Sequence, residues 1–276
     1  MTIRALLAEA EGRLRHSDTP RLDAEVLLSH LLTTDRARLY AAWDETVSDE
    51  TEARYREWVS KRVAGAPVAY LTGQREFWSL PLEVNEHTLI PRPETEHLVE
   101  VAIGLIRTEG AHRISDLGTG TGAIALAIRS EYPDCRIVAT DISEDALAVA
   151  RRNTARLGFS DIDFRLGDWC QALACETFDL IVSNPPYIAE GDPYLQQGDL
   201  RFEPRLALAS GADGFDAIRR ILAGTSACLR QGGWLVLEHG FTQREGLWEL
   251  LKSYSFQSLE TLRDYNGKDR ITLAKR

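Results

Sequence analysis

The strongest chemical signal in the chain is a run of four residues, Asn184, Pro185, Pro186 and Tyr187, which comes directly after the apolar segment 178–183. Proline fixes φ at about −65° and has no N–H, so two in succession stiffen the backbone. The Asn184 side-chain oxygen and the Pro185 carbonyl can then both accept hydrogen bonds from one planar –NH2 group. Tyr187 can stack on that group. We predict that all four residues bind an acceptor nitrogen, and that Asn184, Pro185 and Tyr187 take part in catalysis.

A glycine-rich turn at 118–122 comes after a predicted strand at 114–117 and precedes a predicted helix at 123–128. Glycines there allow a tight turn and a close approach of the backbone to a ligand. Asp141 ends the next predicted strand, where a carboxylate can accept both hydroxyls of a ribose. This pattern alone fits a dinucleotide as well as S-adenosylmethionine.

Residues at the ends of the later strands distinguish these two cofactors. A hydride-transfer enzyme has no use for Asn-Pro-Pro-Tyr, whereas an adenosyl cofactor needs an adenine pocket. Trp169 can flank an adenine, and Asp168 can reach its exocyclic amine. We therefore predict S-adenosylmethionine as the cofactor and S-adenosylhomocysteine as the product. The predicted cofactor-binding residues are Gly118, Thr119, Gly120, Thr121, Gly122, Asp141, Asp168, Trp169 and Asn184.

Methyl transfer to an amide nitrogen demands orientation more than a base, because the nitrogen lone pair is delocalised into the carbonyl. Two acceptors on the –NH2 hydrogens would orient that lone pair and stabilise the positive charge that grows on nitrogen. Holding the nucleophile in line with the methyl group also lowers the barrier. The proton can leave after transfer.

The elements that position these residues alternate between strand and helix from residue 113 onward. This alternation predicts an α/β fold with a doubly wound, mostly parallel sheet of seven strands. The last two strands, at 256–262 and 270–275, predict a C-terminal antiparallel hairpin. We predict three parts: a helical substrate-docking domain at 1–73, a β-hairpin linker at 74–91, with strands 77–84 and 88–90, and a methyltransferase domain at 92–276.

The helical segment shows apolar residues at helical spacing. Helices are predicted from Ile3, after Pro20, around Tyr40 to Trp43 and after Ser48, which we expect to be an N-cap. Residues 1–75 hold 11 basic and 12 acidic side chains, so this segment is nearly neutral. Because it carries no cofactor motif, we interpret it as a partner-docking module.

The composition narrows the class of protein. A net charge of −10 gives no general attraction to nucleic acid, and no apolar run approaches the roughly 18 residues of a membrane span. Six histidines are scattered without ligand spacing, so no metal site is predicted. The four cysteines, which include Cys175, form no C-x-x-C pair and fit a reducing cytoplasm.

Several further motifs support one family jointly. They are Arg62 to Pro67 with Tyr70 and Gly73, Leu89 to Glu96, Asp116 to Gly122, Asn184 to Tyr187, Glu203 to Leu208, and Glu238 to Gly240. Over nearly its whole length the chain resembles the protein-(glutamine-N5) methyltransferases of peptide chain release factors, the PrmC or HemK family, with a class I methyltransferase (Rossmann-like) fold.

The resemblance implies a substrate and a partner. The substrate is the glutamine of the Gly-Gly-Gln loop in bacterial class I release factors, and the helical domain grips the release factor away from that loop. Glu203 and Arg205 either shape the peptide channel or hold their loop through an internal salt bridge. His239 either approaches the site or is structural. We expect a monomer.

Three alternatives stay open at this point. A ribosomal-protein glutamine methyltransferase shares Asn-Pro-Pro-Tyr, and an adenine-N6 methyltransferase of DNA or RNA acts on a similar planar amine. The acidic charge of the catalytic part argues against the second. A binding module that has kept the fold is the third, and the intact cofactor motif argues against it.

Overall fold

The computed structural model describes residues 1–174 and 176–276, so Cys175 lies outside the described residues. The chain divides into two compact units, Met1–Gln74 and Arg75–Arg276. No helix in the described part of the chain is long and apolar enough to cross a bilayer.

The first unit is helical and has its own apolar core. Ser48 caps a helix as predicted, because its Oγ accepts a hydrogen bond from the backbone N–H of Thr51 at 3.2 Å. The core is built by side chains such as Leu7, Leu27 and Tyr55, which are almost fully buried. The helices are α1 (Ile3–Arg13), α2 (Pro20–Leu31), α3 (Arg36–Ala41), α4 (Asp49–Val63) and α5 (Val68–Thr72).

A two-stranded hairpin lies at the boundary between the units, but its strands differ from the predicted ones. They are β1 (Gln74–Phe77) and β2 (Leu80–Glu83). Trp78 and Ser79 form the turn with φ of 53° and 58°, the positive values that two-residue hairpin turns require. The prediction of a return strand at 88–90 was wrong. The Ile90 N–H donates to Glu203 Oε2 at 2.9 Å instead of to a strand.

The second unit is built on a seven-stranded sheet, counted over the described residues, in the order β5-β4-β3-β6-β7-β9-β8. β3 to β7 run parallel, and β9 pairs antiparallel with both β7 and β8. The predicted doubly wound fold with a C-terminal antiparallel hairpin is therefore confirmed. The strands are β3 (Arg113–Leu117), β4 (Arg136–Asp141), β5 (Ile162–Leu166), β6 (Phe178–Ser183), β7 (Leu229–Glu238), β8 (Gln257–Arg263) and β9 (Asp269–Lys275).

Helices cover both faces of this sheet. Successive residues of β6 point to opposite faces, so Leu180 and Val182 join one apolar cluster and Ile181 joins the other. α6 and α7 pack in the first cluster, and α9 and α10 pack in the second. The helices of this unit are α6 (Pro93–Glu109), α7 (Ala123–Glu131), α8 (Glu144–Arg156), α9 (Asp216–Cys228) and α10 (Arg244–Ser253).

The order of the strands determines where a ligand can bind. The chain runs from β3 outward to β4 and β5 and then returns to β6 on the other side of β3. Ligands of open α/β sheets bind beyond the strand carboxyl ends at such a switch point. The turn after β3, the end of β4 at Asp141 and the tetrapeptide after β6 all lie at that edge.

Candidate active site

A cavity of about 420 Å³ opens at the carboxyl edge of β3 to β6. This volume lies in the range typical of small-molecule sites, about 300 to 1,000 Å³. Most of the predicted site residues line it: Gly118, Thr119, Gly120, Thr121, Asp141, Asp168, Trp169, Asn184 and Pro186. The other three predicted site residues, Gly122, Pro185 and Tyr187, are not among the described residues that line the cavity.

The glycine turn is held to the next strand by its backbone. The N–H groups of Gly118 and Thr119 both donate to the Thr140 carbonyl, at 2.8 and 2.9 Å. Gly118 has a φ of 74°, and a Cβ there would lie 2.8 Å from the Trp169 ring. Gly120 has a φ of 55° and faces open space. Gly118 therefore lets the Trp169 ring pack against the turn, whereas Gly120 leaves its backbone open on the cavity side.

Gly122 serves packing rather than the cavity. A Cβ at Gly122 would lie 3.1 Å from Leu126 Cδ1 and 3.3 Å from Ala150 Cβ. The absence of a side chain thus lets α7 approach α8 closely at the point where α7 begins. Gly122 shapes the turn, and its neighbours contact the cavity.

Asp116 is buried beneath the turn and accepts a hydrogen bond from the Thr119 hydroxyl at 2.6 Å. Its Oδ1 has no hydrogen-bond partner among the described residues. Burial raises the pKa of Asp116 to about 7, although the Thr119 hydrogen bond favours the charged form. The sequence motif included Asp116 but indicated no role for it.

The raised pKa of Asp116 predicts that the stability of the folded protein depends on pH. Because the folded pKa of about 7 exceeds the unfolded value, the folded state retains the proton longer, and stability is lost as the pH rises through 7. Between pH 5 and pH 8, the free energy of unfolding should fall less in Asp116→Asn than in wild type. We expect the difference to be on the order of a few kcal/mol. Urea unfolding at both pH values tests this, with the exposed Asp134→Asn as the control. An equal loss in wild type and Asp116→Asn would contradict it.

Asp141 ends β4 with both carboxylate oxygens anchored. Oδ2 accepts from the Gly120 N–H and Oδ1 from the Ser143 N–H, each at 2.9 Å. Each oxygen has a second lone pair for a ligand hydroxyl. Burial raises the pKa of Asp141. Ile142 is the next residue, has 51% of its surface exposed and also lines the cavity, a contact that the sequence pattern did not indicate.

Trp169 and Asp168 line the cavity after β5. The Trp169 ring lies against Gly118. The Asp168 carboxylate forms an ion pair with Arg220 of α9. Arg220 also lines the cavity, and no sequence motif pointed to it.

Asn184 is connected to a buried polar network. Its Nδ2 donates to Thr95 Oγ1 at 3.0 Å, and the Thr95 hydroxyl donates to Glu238 Oε2 at 2.7 Å. The Tyr187 hydroxyl lies 3.3 Å from the other carboxylate oxygen of Glu238. Burial raises the pKa of the Glu238 carboxyl, whereas the nearby Arg270 guanidinium favours its charged form.

Tyr187 is fixed at two points. Its hydroxyl contacts Glu238, and its carbonyl accepts from Gln243 Nε2 at 3.1 Å. Burial raises the pKa of the Tyr187 phenol, which therefore stays protonated. The hydroxyl contact and the carbonyl contact together fix the position of the Tyr187 ring.

Glu203 anchors the loop that begins after the tetrapeptide. It forms an internal salt bridge with Arg92 and accepts from the Ile90 N–H at 2.9 Å. Arg205 does not take part in this salt bridge. Its guanidinium donates to the Glu190 carbonyl at 3.2 Å. Arg92 and the neighbouring Pro204 both line the cavity.

His239 is a structural histidine. Its Nδ1–H donates to the Gly240 carbonyl at 2.9 Å, so Nε2 accepts from the Thr272 hydroxyl at 2.8 Å. Burial lowers the pKa of the ring and keeps it neutral. In the part of the chain that the structure describes, no group of three or more His, Cys, Asp or Glu side chains is arranged to hold a metal ion.

Comparison with known proteins gives two family matches. Residues 5–73 match the PrmC N-terminal domain, and residues 99–197 match the methyltransferase small domain. The release factor glutamine methyltransferase of Xylella fastidiosa (strain 9a5c) is 48% identical over 98% of this chain and 97% of that protein. The release factor glutamine methyltransferase of Escherichia coli (strain K12) is 46% identical over 98% and 97%.

Solved structures support the fold. The hMettl16 catalytic domain, in complex with the MAT2A 3′UTR hairpin 1, superposes with a TM-score of 0.57 at 18% identity. The match covers 83% of this chain and 80% of that chain. At this identity the similarity shows the fold alone.

Proposed function

Because the chain belongs to the release factor glutamine methyltransferase family, we propose that it methylates the side-chain amide nitrogen (N5) of a glutamine in bacterial class I release factors, with S-adenosylmethionine as the methyl donor. The target is the glutamine of the Gly-Gly-Gln loop. The observation that carries this proposal is that Asn184 lines the same cavity as the glycine turn and Asp141.

The residues present fit S-adenosylmethionine. Gly118 and Gly120 both line the cavity, and Gly120 has open space where a side chain would stand. Asp141 is oriented by two backbone N–H groups and retains lone pairs for ribose hydroxyls. Trp169 offers a flat face for an adenine. When bound, the cofactor supplies an electrophilic methyl group on a sulfonium.

The chain's own residues orient the acceptor. The Asn184 side-chain oxygen and the Pro185 carbonyl accept the two hydrogens of the glutamine –NH2 group, which aims the nitrogen lone pair at the methyl group. Both acceptors also stabilise the positive charge that develops on nitrogen. Tyr187, fixed by Glu238 and Gln243, stacks on the planar amide. The extra proton leaves after transfer, so no base is required.

We assign the helical residues 1–73 to docking of the release factor. The match to the PrmC N-terminal domain over residues 5–73 supports this assignment. In this proposal the protein acts in the cytoplasm, where release factors work, and it acts as a monomer. It needs no contact with nucleic acid to reach its substrate.

Labelled methyl transfer tests the proposal. We expect label from S-adenosylmethionine to appear on a class I release factor and to be absent when its Gly-Gly-Gln glutamine is replaced by alanine. Mass spectrometry of the labelled peptide locates the methyl group. Equal labelling of the alanine variant would contradict the proposed acceptor, and labelling of DNA or a ribosomal protein in its place would contradict the substrate class.

A further inference from the structure

The side-chain amide of Asn184 has two ends, and only one of them can accept a substrate hydrogen. The proposed mechanism requires Oδ1 to face the acceptor nitrogen. With the amide reversed, Nδ2 would present two donors to an –NH2 group that also donates. An asparagine that lines such a cavity therefore needs a neighbour that selects its orientation.

Thr95 provides that selection through the direction of its hydrogen bonds. Its hydroxyl has one hydrogen, and Glu238 Oε2 accepts it at 2.7 Å. The Thr95 oxygen can then only accept, and Asn184 meets it with Nδ2 at 3.0 Å. Nδ2 is anchored through one of its two hydrogens, and Oδ1 is the side-chain acceptor that Asn184 keeps for a ligand.

Glu238 is held as an acceptor on both sides. The Tyr187 hydroxyl lies 3.3 Å from Oε1, and the Thr95 hydroxyl donates to Oε2. Arg270 adds a positive charge nearby. Thr95 and Glu238 are 5% and 1% exposed, so bulk water does not compete for these hydrogen bonds.

We propose that Thr95, oriented by Glu238, is a positioning residue that fixes the Asn184 amide with its oxygen toward the substrate and so selects glutamine over glutamate. This inference rests on the proposed function of the site. A glutamate side chain offers carboxylate oxygens where Asn184 Oδ1 needs a donor, so the correctly oriented site rejects it. A reversed amide would accept it.

The test compares Thr95→Val, which keeps the shape and removes the hydroxyl, with Thr95→Ser, which restores it. We expect Thr95→Val to lower kcat about 30-fold or more while the Kd for S-adenosylmethionine stays within about threefold. For Thr95→Ser, kcat and the Kd for S-adenosylmethionine should each stay within about threefold of wild type. Thr108→Val, an exposed position on the same helix, is the matched control.

A selectivity measurement separates positioning from a general loss of structure. A release factor with glutamate in place of the target glutamine serves as a competitive inhibitor. The measured quantity is the inhibition constant of this glutamate form divided by the KM for the glutamine form. We expect this ratio to be at least about tenfold lower in Thr95→Val than in wild type. An unchanged ratio, or a kcat for Thr95→Val equal to that of Thr95→Ser, overturns the inference.

A second variant covers a failure of Thr95→Val to fold. Glu238→Gln keeps the shape and removes the charge, and its Nε2 can donate to Thr95 Oγ1. The Thr95 hydrogen can then turn to Asn184 and reverse the amide. We expect kcat to fall about tenfold or more, and a value within about twofold of wild type overturns the inference. Wild-type inactivity on the glutamine release factor would instead contradict the proposed function.

Discussion

Replacing Asn184 by alanine is expected to slow methyl transfer by about 1,000-fold in a single-turnover assay. The variant loses one of the two acceptors that we propose orient the –NH2 group and stabilise the charge on nitrogen. The Kd for S-adenosylmethionine should stay within about fivefold, because the glycine turn, Asp141 and Trp169 keep their own anchors. Rapid mixing of enzyme, labelled cofactor and release factor measures the rate, and equilibrium titration measures the Kd.

The matched control for this result is Asn266→Ala. Asn266 is an exposed asparagine in the turn between β8 and β9, and its loss should leave both quantities at wild-type values. A single-turnover rate for Asn184→Ala within about tenfold of wild type would mean that Asn184 is not the main acceptor.

Replacing Asp141 by alanine should have the opposite pattern. We expect the Kd for S-adenosylmethionine to rise about 100-fold or more, since two hydrogen bonds between hydroxyls and a carboxylate are lost. The Gly120 N–H also loses its partner, which loosens the turn. At saturating cofactor, the single-turnover rate should recover to within about tenfold of wild type.

Asp134 lies near the other end of the same strand and supplies the control for the Asp141 experiment. It is exposed in the turn before β4, so Asp134→Ala should leave the Kd unchanged. A Kd for Asp141→Ala within about threefold of wild type would remove Asp141 from the cofactor site.

The elements of the catalytic unit were predictable because they depend on local pattern. β5 and β6 have the predicted bounds, Ile162–Leu166 and Phe178–Ser183. Apolar and β-branched residues bounded by turn residues specify such strands within a short window. The residues that come after β3, β4 and β6 could be assigned to one edge because parallel strands bring their carboxyl ends together.

The neighbours of the site were not predictable in this way. Thr95 contacts Asn184 across 89 residues of sequence, and Glu203 contacts Ile90 across 113. No periodicity connects such positions, and a threonine or a glutamate has many possible partners. The error at 88–90 has the same cause, because Ile90 satisfies its N–H through a side chain on a distant loop.

The position at which the two hairpin strands are joined was predicted wrongly for a different reason. Asn85 to His87 has the composition of a turn and forms one, because the Thr88 N–H donates to the Asn85 carbonyl at 3.1 Å. The two paired strands, however, are joined earlier, at Trp78 and Ser79. A bulky aromatic residue is disfavoured at positive φ. Tertiary packing of Phe77 and Leu82 into the apolar core outweighs that local preference.

The hydrogen bond between Thr95 and Glu238 joins residues 143 positions apart, which has a consequence during synthesis of the protein. The glycine turn, Asp141 and Asn184 all leave the ribosome before Glu238 does. Until β7 is made and paired with β6, Thr95 has no acceptor and the Asn184 amide can turn either way. We therefore expect a nascent chain to form the proposed cofactor site before the proposed acceptor site is oriented, so that competence for methyl transfer arises only late in translation.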